Sequence, residues 1–138
     1  MTMPPRPIDI LAFLTGEDVS IPQMKFVDVG AMDVGESEPW SQLVSGGTAS
    51  LIGFEPNPVE CEKLNQTAPA NSKFLPVALG DGHPHTLHIG KEPMTSSLFP
   101  PDPEVMQRFH NLWELCEPVR TEALETMRLD DVPDVRPA

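Results

Sequence analysis

The run Met24-Lys25-Phe26-Val27-Asp28-Val29-Gly30-Ala31-Met32-Asp33-Val34-Gly35 decides how this chain is read. Phe26, Val27 and Val29 have strong β propensity and the run ends in a glycine-punctuated turn, so a first strand is expected here. Downstream, about Glu38 to Val44 reads as a helix or helical turn whose start is restricted by Pro39, and Gly46-Gly47 ends it. Ser50-Leu51-Ile52-Gly53-Phe54-Glu55 is a short apolar run bounded by breakers, the pattern of a buried parallel strand. Asn57-Pro58-Val59-Glu60 then sets out an N-cap, a first-position proline and a capping-box glutamate, predicting a helix to about Gln66. Ser72 to Leu79 supplies a third strand, irregular at Pro76. Strand, helix, strand, helix, strand predicts an α/β fold with parallel crossovers.

The flanking segments follow other patterns. Ile8 to Leu14 reads as a short N-terminal helix stopped at Gly16. After Gly80-Asp81-Gly82, the alternation Thr86-Leu87-His88-Ile89 fits a half-buried antiparallel strand, and residues 90 to 101 form a proline-rich loop. Asp102-Pro103 opens an expected amphipathic helix with Val105, Met106, Phe109, Leu112, Trp113 and Cys116 on its packing face. Thr121 to Leu129 reads both ways: Glu122, Ala123, Leu124 and Glu125 favour helix, whereas Val119, Thr121 and Thr126 favour strand.

Composition bounds the function. The 138 residues are 39% apolar and 22% charged, which suits a folded domain. Proline, at 17 residues, is more than twice its average usage of roughly 5%, so short elements are expected. A net charge of −12 with nine scattered basic residues argues against nucleic acid as a partner, because such binders neutralise phosphates with Lys and Arg. No apolar run approaches the roughly 20 residues that span a bilayer, and no signal-peptide pattern is present. A cytoplasmic chain with no membrane partner is the expectation. Cys61 and Cys116 have neither disulfide-framework nor zinc spacing, and both read as small hydrophobes on helices. His83, His85 and His88 invite a metal reading, but without a Cys or Asp ligand set beside them they read as a surface hairpin, so no metal is expected.

A glycine turn after a first strand, then a helix and a second strand ending in an acid, describes a nucleotide-cofactor half-domain. Glu55 stands where an acid accepts the ribose hydroxyls. A dinucleotide requires glycine where this turn has Met32, and Asp28, Asp33 and Glu36 make a poor cradle for a diphosphate. A P-loop requires Lys-Ser/Thr where Glu36-Ser37 follow Gly35. The carboxylates suit an ammonium and a sulfonium, so S-adenosylmethionine fits best.

In that order, Phe26-Val-Asp-Val-Gly-Ala-Met32, Leu51-Ile-Gly-Phe-Glu-Pro-Asn-Pro58, Val77-Ala-Leu-Gly-Asp81, Thr95-Ser-Ser-Leu98 and Arg128-Leu-Asp-Asp-Val132 resemble the first half of FkbM-family methyltransferases. The resemblance covers residues 24 to 132, with 1–23 as an N-terminal helical extension and 133–138 as a tail. It implies a Rossmann-like class I methyltransferase fold, a three-layer α/β/α arrangement around a mostly parallel sheet, and methyl transfer from S-adenosylmethionine to a hydroxyl oxygen of a small molecule or glycan. By the same resemblance Asp28, Gly30, Ala31 and Met32 would lie at the methionine part of the cofactor. Glu55 would hold the ribose diol, with Pro56 and Asn57 beside the adenosine, and Ala78, Leu79 and Asp81 near the adenine. Met32-Asp33 departs from the family, where Asn and an apolar residue are usual. The resemblance also favours a strand over residues 119 to 128.

The family continues past Leu129-Asp130-Asp131 into a further core strand that this sequence does not reach. On that comparison the fold is expected to be incomplete at its C-terminus, with the first strand's edge bare and open to self-association. No catalytic base for the acceptor is identified. The alternative reading is a truncated, non-catalytic remnant or a cofactor-binding module that needs another chain.

Overall fold

A computed structural model of the chain describes residues 23–32, 38 and 40–135. It is a mixed α/β structure with small sheets. Strand β1 (Met24–Val29), helix α1 (Ser41–Ser45), strand β2 (Ala49–Phe54), helix α2 (Pro58–Thr67) and strand β3 (Ser72–Leu75) follow in order, and the three strands form one parallel sheet with β2 in the centre. The register sets Met24 opposite Ala49, Val29 opposite Phe54, and Phe54 opposite Leu75. The expected N-terminal helix, and residues 33–37 of the turn after β1, lie outside the described residues.

Alternation along β2 explains why it is central. Ala49 and Leu51 face α1 and α2, where they pack with Val44, Cys61 and Phe74. Ile52 and Phe54 face the other way, onto Val132 with Val77, Leu79 and Val135 around it. A strand buried on both faces needs the near-continuous apolar run that residues 51–54 supply. Gly53 is required in that run because a Cβ there would sit 2.3 Å from the Phe74 ring. Helices α1 and α2 cover one face, while the segments around Val77–Leu79 and Val132–Val135 cover the other. The second helical layer implied by the family resemblance is therefore not seen among the described residues.

The rim of the sheet is handled differently on its two sides. On β3, Phe74 directs its N–H and C=O away from β2, and the Asn65 side chain of α2 pairs with both, each at 2.9 Å. One side-chain amide thus substitutes for a neighbouring strand. On β1 the pairing is with β2 alone among the described residues, and Val29 is 63% exposed.

Three expectations are corrected. The third strand does not run to Leu79: Pro76 offers no N–H, Val77 N–H bonds back to the Leu75 carbonyl at 2.9 Å, and the chain leaves the sheet. Ala78–Leu79 (β4) pairs instead with Thr126–Met127 (β7). The amphipathic helix from Asp102 to Cys116 is not continuous. Asp102 caps as expected, accepting from Glu104 and Val105, but α3 is only Pro103–Met106. Asn111 takes a left-handed φ of 58° before α4 (Leu112–Cys116), and Phe109 is 59% exposed, so the apolar stripe is not one core face. Short helices without a buried partner do not propagate. Finally, the strand over 119–128 divides into β6 (Pro118–Leu124), antiparallel to β5 (His85–Gly90), and β7. Among the described residues no helix is long and apolar enough to cross a membrane.

Asn65→Ala should cost about 1–2 kcal/mol, since it removes both partners of Phe74 at once. Guanidinium unfolding checks this; an unchanged midpoint would show that water replaces the amide without loss.

Candidate functional site

The carboxyl end of the parallel sheet is organised by one turn. Gly30 takes φ +74°, a left-handed value that side chains resist, and this swings two consecutive amides toward β2. Gly30 N–H and Ala31 N–H both donate to the Phe54 carbonyl at 3.0 Å, and Met32 N–H returns to the Gly30 carbonyl at 2.7 Å. The turn is thereby pinned to the last residue of β2. A Cβ at Gly30 would meet nothing within 4 Å, so the glycine is needed for its backbone angle and not for space.

On the helix side of this turn lies a cleft of about 400 Å³. Asp28, Ala31 and Met32 line it together with Glu38, Trp40 and Ser41. Alternation along β1 turns Asp28 to the same face as Phe26, against the helices. Burial pushes the Asp28 carboxyl above its usual range, and the nearby Glu38 carboxylate adds to the effect. No ion pair among the described residues offsets either charge. Such a pair gains from an arriving cation and repels a phosphate. Asp33 and Glu36, expected beside them, lie outside the described residues.

On the opposite side of the turn is a second cleft of about 200 Å³. Gly30, Pro56, Ala78 and Leu79 line it, with Leu87, Leu98 and Leu124 closing it from the β5–β6 side. Seven of the expected cofactor residues are therefore divided by the Gly30–Ala31 peptide between a cleft that holds two carboxylates and one lined by no charged side chain.

The other three expected residues line neither cleft. Glu55 is 4% exposed, and its Oε1 accepts from Asn57 N–H at 2.8 Å. It sits where β2 ends, directly before Pro56 of the second cleft. Asn57 is the α2 N-cap: its side chain accepts from Val59 and Glu60, as the sequence pattern predicts. Asp81 is at an exposed turn, where its Oδ1 accepts from His83 N–H at 3.0 Å and lies 2.8 Å from His85 Nε2. The His85 hydrogen bond, then the His83 amide, hold the Asp81 carboxyl below its usual range.

Sequence reasoning missed Glu38, Trp40 and Ser41 as lining residues, although Glu38 and Trp40 flank Pro39 at the expected helix start. It also missed Leu87 and Leu124. Leu98 lay within a recognised segment but had no assigned role. Burial pushes the Cys61 thiol up, with the Glu55 and Glu62 carboxylates adding to it, and Cys61 packs within the helix-side core as a small hydrophobe. Cys116 is partly buried at the end of α4. The histidines do lie at the start of an antiparallel ladder, but β5 pairs with the distant β6 instead of closing a local hairpin. Among the described residues no group of three His, Cys, Asp or Glu side chains could hold a metal ion. Comparison with protein-family models, curated proteins and solved structures finds no match to this chain.

Two outcomes follow from this geometry. Gly30→Ala should destabilise the chain by about 1–2 kcal/mol through its backbone angle alone, measurable by chemical unfolding. Asp28→Asn should raise Tm at neutral pH. A carboxyl whose pKa is raised on folding stabilises the folded state only when protonated, so its contribution is present below the usual 3.8 and lost as pH rises through the folded value. The gain in Tm should therefore shrink on acidification, and a gain that is constant with pH would contradict the assignment.

Proposed function

We propose that this chain binds S-adenosylmethionine and is a methyltransferase of the FkbM type, directed to a hydroxyl oxygen of a small molecule or glycan. The observation that carries the reading is the desolvated Asp28 carboxyl near the end of β1, with Glu38 beside it, facing a cleft that runs between the sheet and α2. Carboxylates held this way favour a ligand that brings positive charge. The ordered parallel strands, the glycine turn after β1 and the acid that ends β2 support a Rossmann-like class I methyltransferase half as the finer fold.

The residues fit the group. Asp28 and Glu38 would attract the ammonium and the sulfonium, and Trp40 in the same cleft adds an aromatic ring of the kind that cations favour. Glu55 would serve the ribose after exchanging its bond to the Asn57 amide, and the cleft beyond Pro56 would take the base. When bound, S-adenosylmethionine supplies an electrophilic methyl group on sulfur. The chain's own part is positional: the pinned Gly30–Ala31 turn holds the two clefts in a fixed relation, which limits where an acceptor oxygen can approach. A nicotinamide dinucleotide fits poorly, because the Met32 side chain and two carboxylates occupy the ground a diphosphate needs.

Isothermal calorimetry with S-adenosylmethionine tests the reading. Binding is expected at a single site, and Asp28→Asn should weaken it about tenfold or more while stabilising the free protein. A folded sample that gives no heat at millimolar cofactor would refute the proposal.

A further inference from the structure

The ladder of β5 and β6 has one covered edge and one bare edge. On β5, His88 N–H donates to the Ser97 carbonyl at 2.8 Å, and Ser97 N–H donates back to the His88 carbonyl at 3.0 Å. The strap around Ser97 therefore occupies the outer edge of β5. Nothing among the described residues does the same for β6: its sheet has two strands, and six of its seven residues are exposed. A two-stranded ladder is marginal in water and gains from further strands. An exposed strand edge is also a template for pairing with another chain.

The phase of the ladder says which groups that edge offers. Antiparallel partners alternate between pairs that exchange both backbone bonds and pairs that direct them outward. His88 gives its N–H and C=O to Ser97, so His88 and its partner Thr121 form an outward pair. Thr121, and Ala123 two residues on, thus turn their N–H and C=O away from β5, and neither finds another backbone partner among the described residues. Arg120 and Glu122 flank Thr121 and share the other face of the strand. They carry opposite charges, and their side chains are 65% and 52% exposed.

This order of residues is complementary to itself when reversed. With two copies of β6 antiparallel about a two-fold axis at Thr121, Thr121 exchanges both bonds with Thr121 of the second copy. Arg120 then stands opposite Glu122 of the second copy, and Glu122 opposite its Arg120, in the closely spaced kind of pair. Moving the axis one residue either way sets Arg120 against Arg120 or Glu122 against Glu122, which is destabilising. Charge therefore selects one register.

We propose that β6 is a self-association edge: two copies of the chain join β6 to β6, antiparallel and centred on Thr121, in a four-stranded sheet ordered β5, β6, β6, β5. A second copy is the fitting partner because an isologous contact requires a surface complementary to itself. The net charge of −12 on each copy opposes the approach at long range, so association strengthens as salt screens that repulsion. The contact is independent of what the chain binds.

Sedimentation velocity on the full chain, at about 0.15 M salt and from micromolar to millimolar protein, tests this. A monomer converting to a dimer is expected. Thr121→Pro removes the outward N–H at the axis but no bond to β5, and should weaken the dimer at least about tenfold with the far-ultraviolet circular dichroism unchanged. Arg120→Glu and Glu122→Arg each set like charges opposite one another and should also weaken it about tenfold. Mixing these two variants in equal amounts should restore association, because each supplies the sign the other lacks. Both have lost the Arg120–Glu122 ion pair within the chain, so recovery on mixing reports only on contact between copies. A chain that stays monomeric at millimolar concentration would overturn the proposal. So would a dimer undiminished in a folded Thr121→Pro, which would place the contact elsewhere, such as at the edge of β1. If Thr121→Pro does not fold, the mixing experiment decides alone, and failure to recover there refutes the register and the edge.

Discussion

The carbonyl oxygen of Phe54 accepts two adjacent amides, those of Gly30 and Ala31, and the rest of the site depends on that shared acceptor. It ties the turn after β1 to the end of the most buried strand of the sheet. Phe54 is itself immobilised by burial on one face and by its pairing between Val29 and Leu75. A left-handed backbone at position 30 aims both amides at one oxygen, which is why glycine suits the position although there is room for a methyl group. Because Gly30 borders one cleft and Ala31 the other, the same two bonds set the partition between a compartment with two carboxylates and one without charged side chains.

The two compartments differ in charge. In the helix-side cleft, Asp28 is carried under α1 and α2 by the alternation of β1 and loses hydration there without a compensating cation among the described residues. That arrangement costs stability and is the kind of local deficit that a charged ligand can relieve. On the other side, the hydroxyls of Thr95, Ser96 and Ser97 bond to backbone, and Ser96 and Ser97 line the cleft together with Leu87, Leu98 and Leu124.

Part of the fold was legible because its signals are local. The β1 and β2 runs, the Asn57-Pro58 cap and the break at Gly46-Gly47 each act within a few residues, and each stands in the structure where the pattern puts it. Expectations failed where the outcome depended on distant partners. The apolar stripe from Val105 to Cys116 has helical spacing, but no core lies under it, and Asn111 ends the helix. Residues 78–79 continue the apolar run of β3, yet pairing with Thr126–Met127 draws them out of its sheet once Pro76 has turned the chain. Asn65 gives no sign in sequence that it closes the β3 edge, since its partner on Phe74 is met only when α2 packs.

By itself, the sequence determined that strand, glycine turn, helix and acid-ended strand follow one another, since backbone propensity and capping are read within a turn or two. It also determined that acidic residues stand close to that turn in sequence. The tertiary structure decided that seven of the ten expected ligand residues line two clefts on opposite faces of the sheet, and that Asp81 is engaged by His85. It also decided that three leucines from separate segments converge on the cleft without charged side chains. Those outcomes arise from strand register and from which face each segment buries, and both are settled by contacts between residues far apart in the chain.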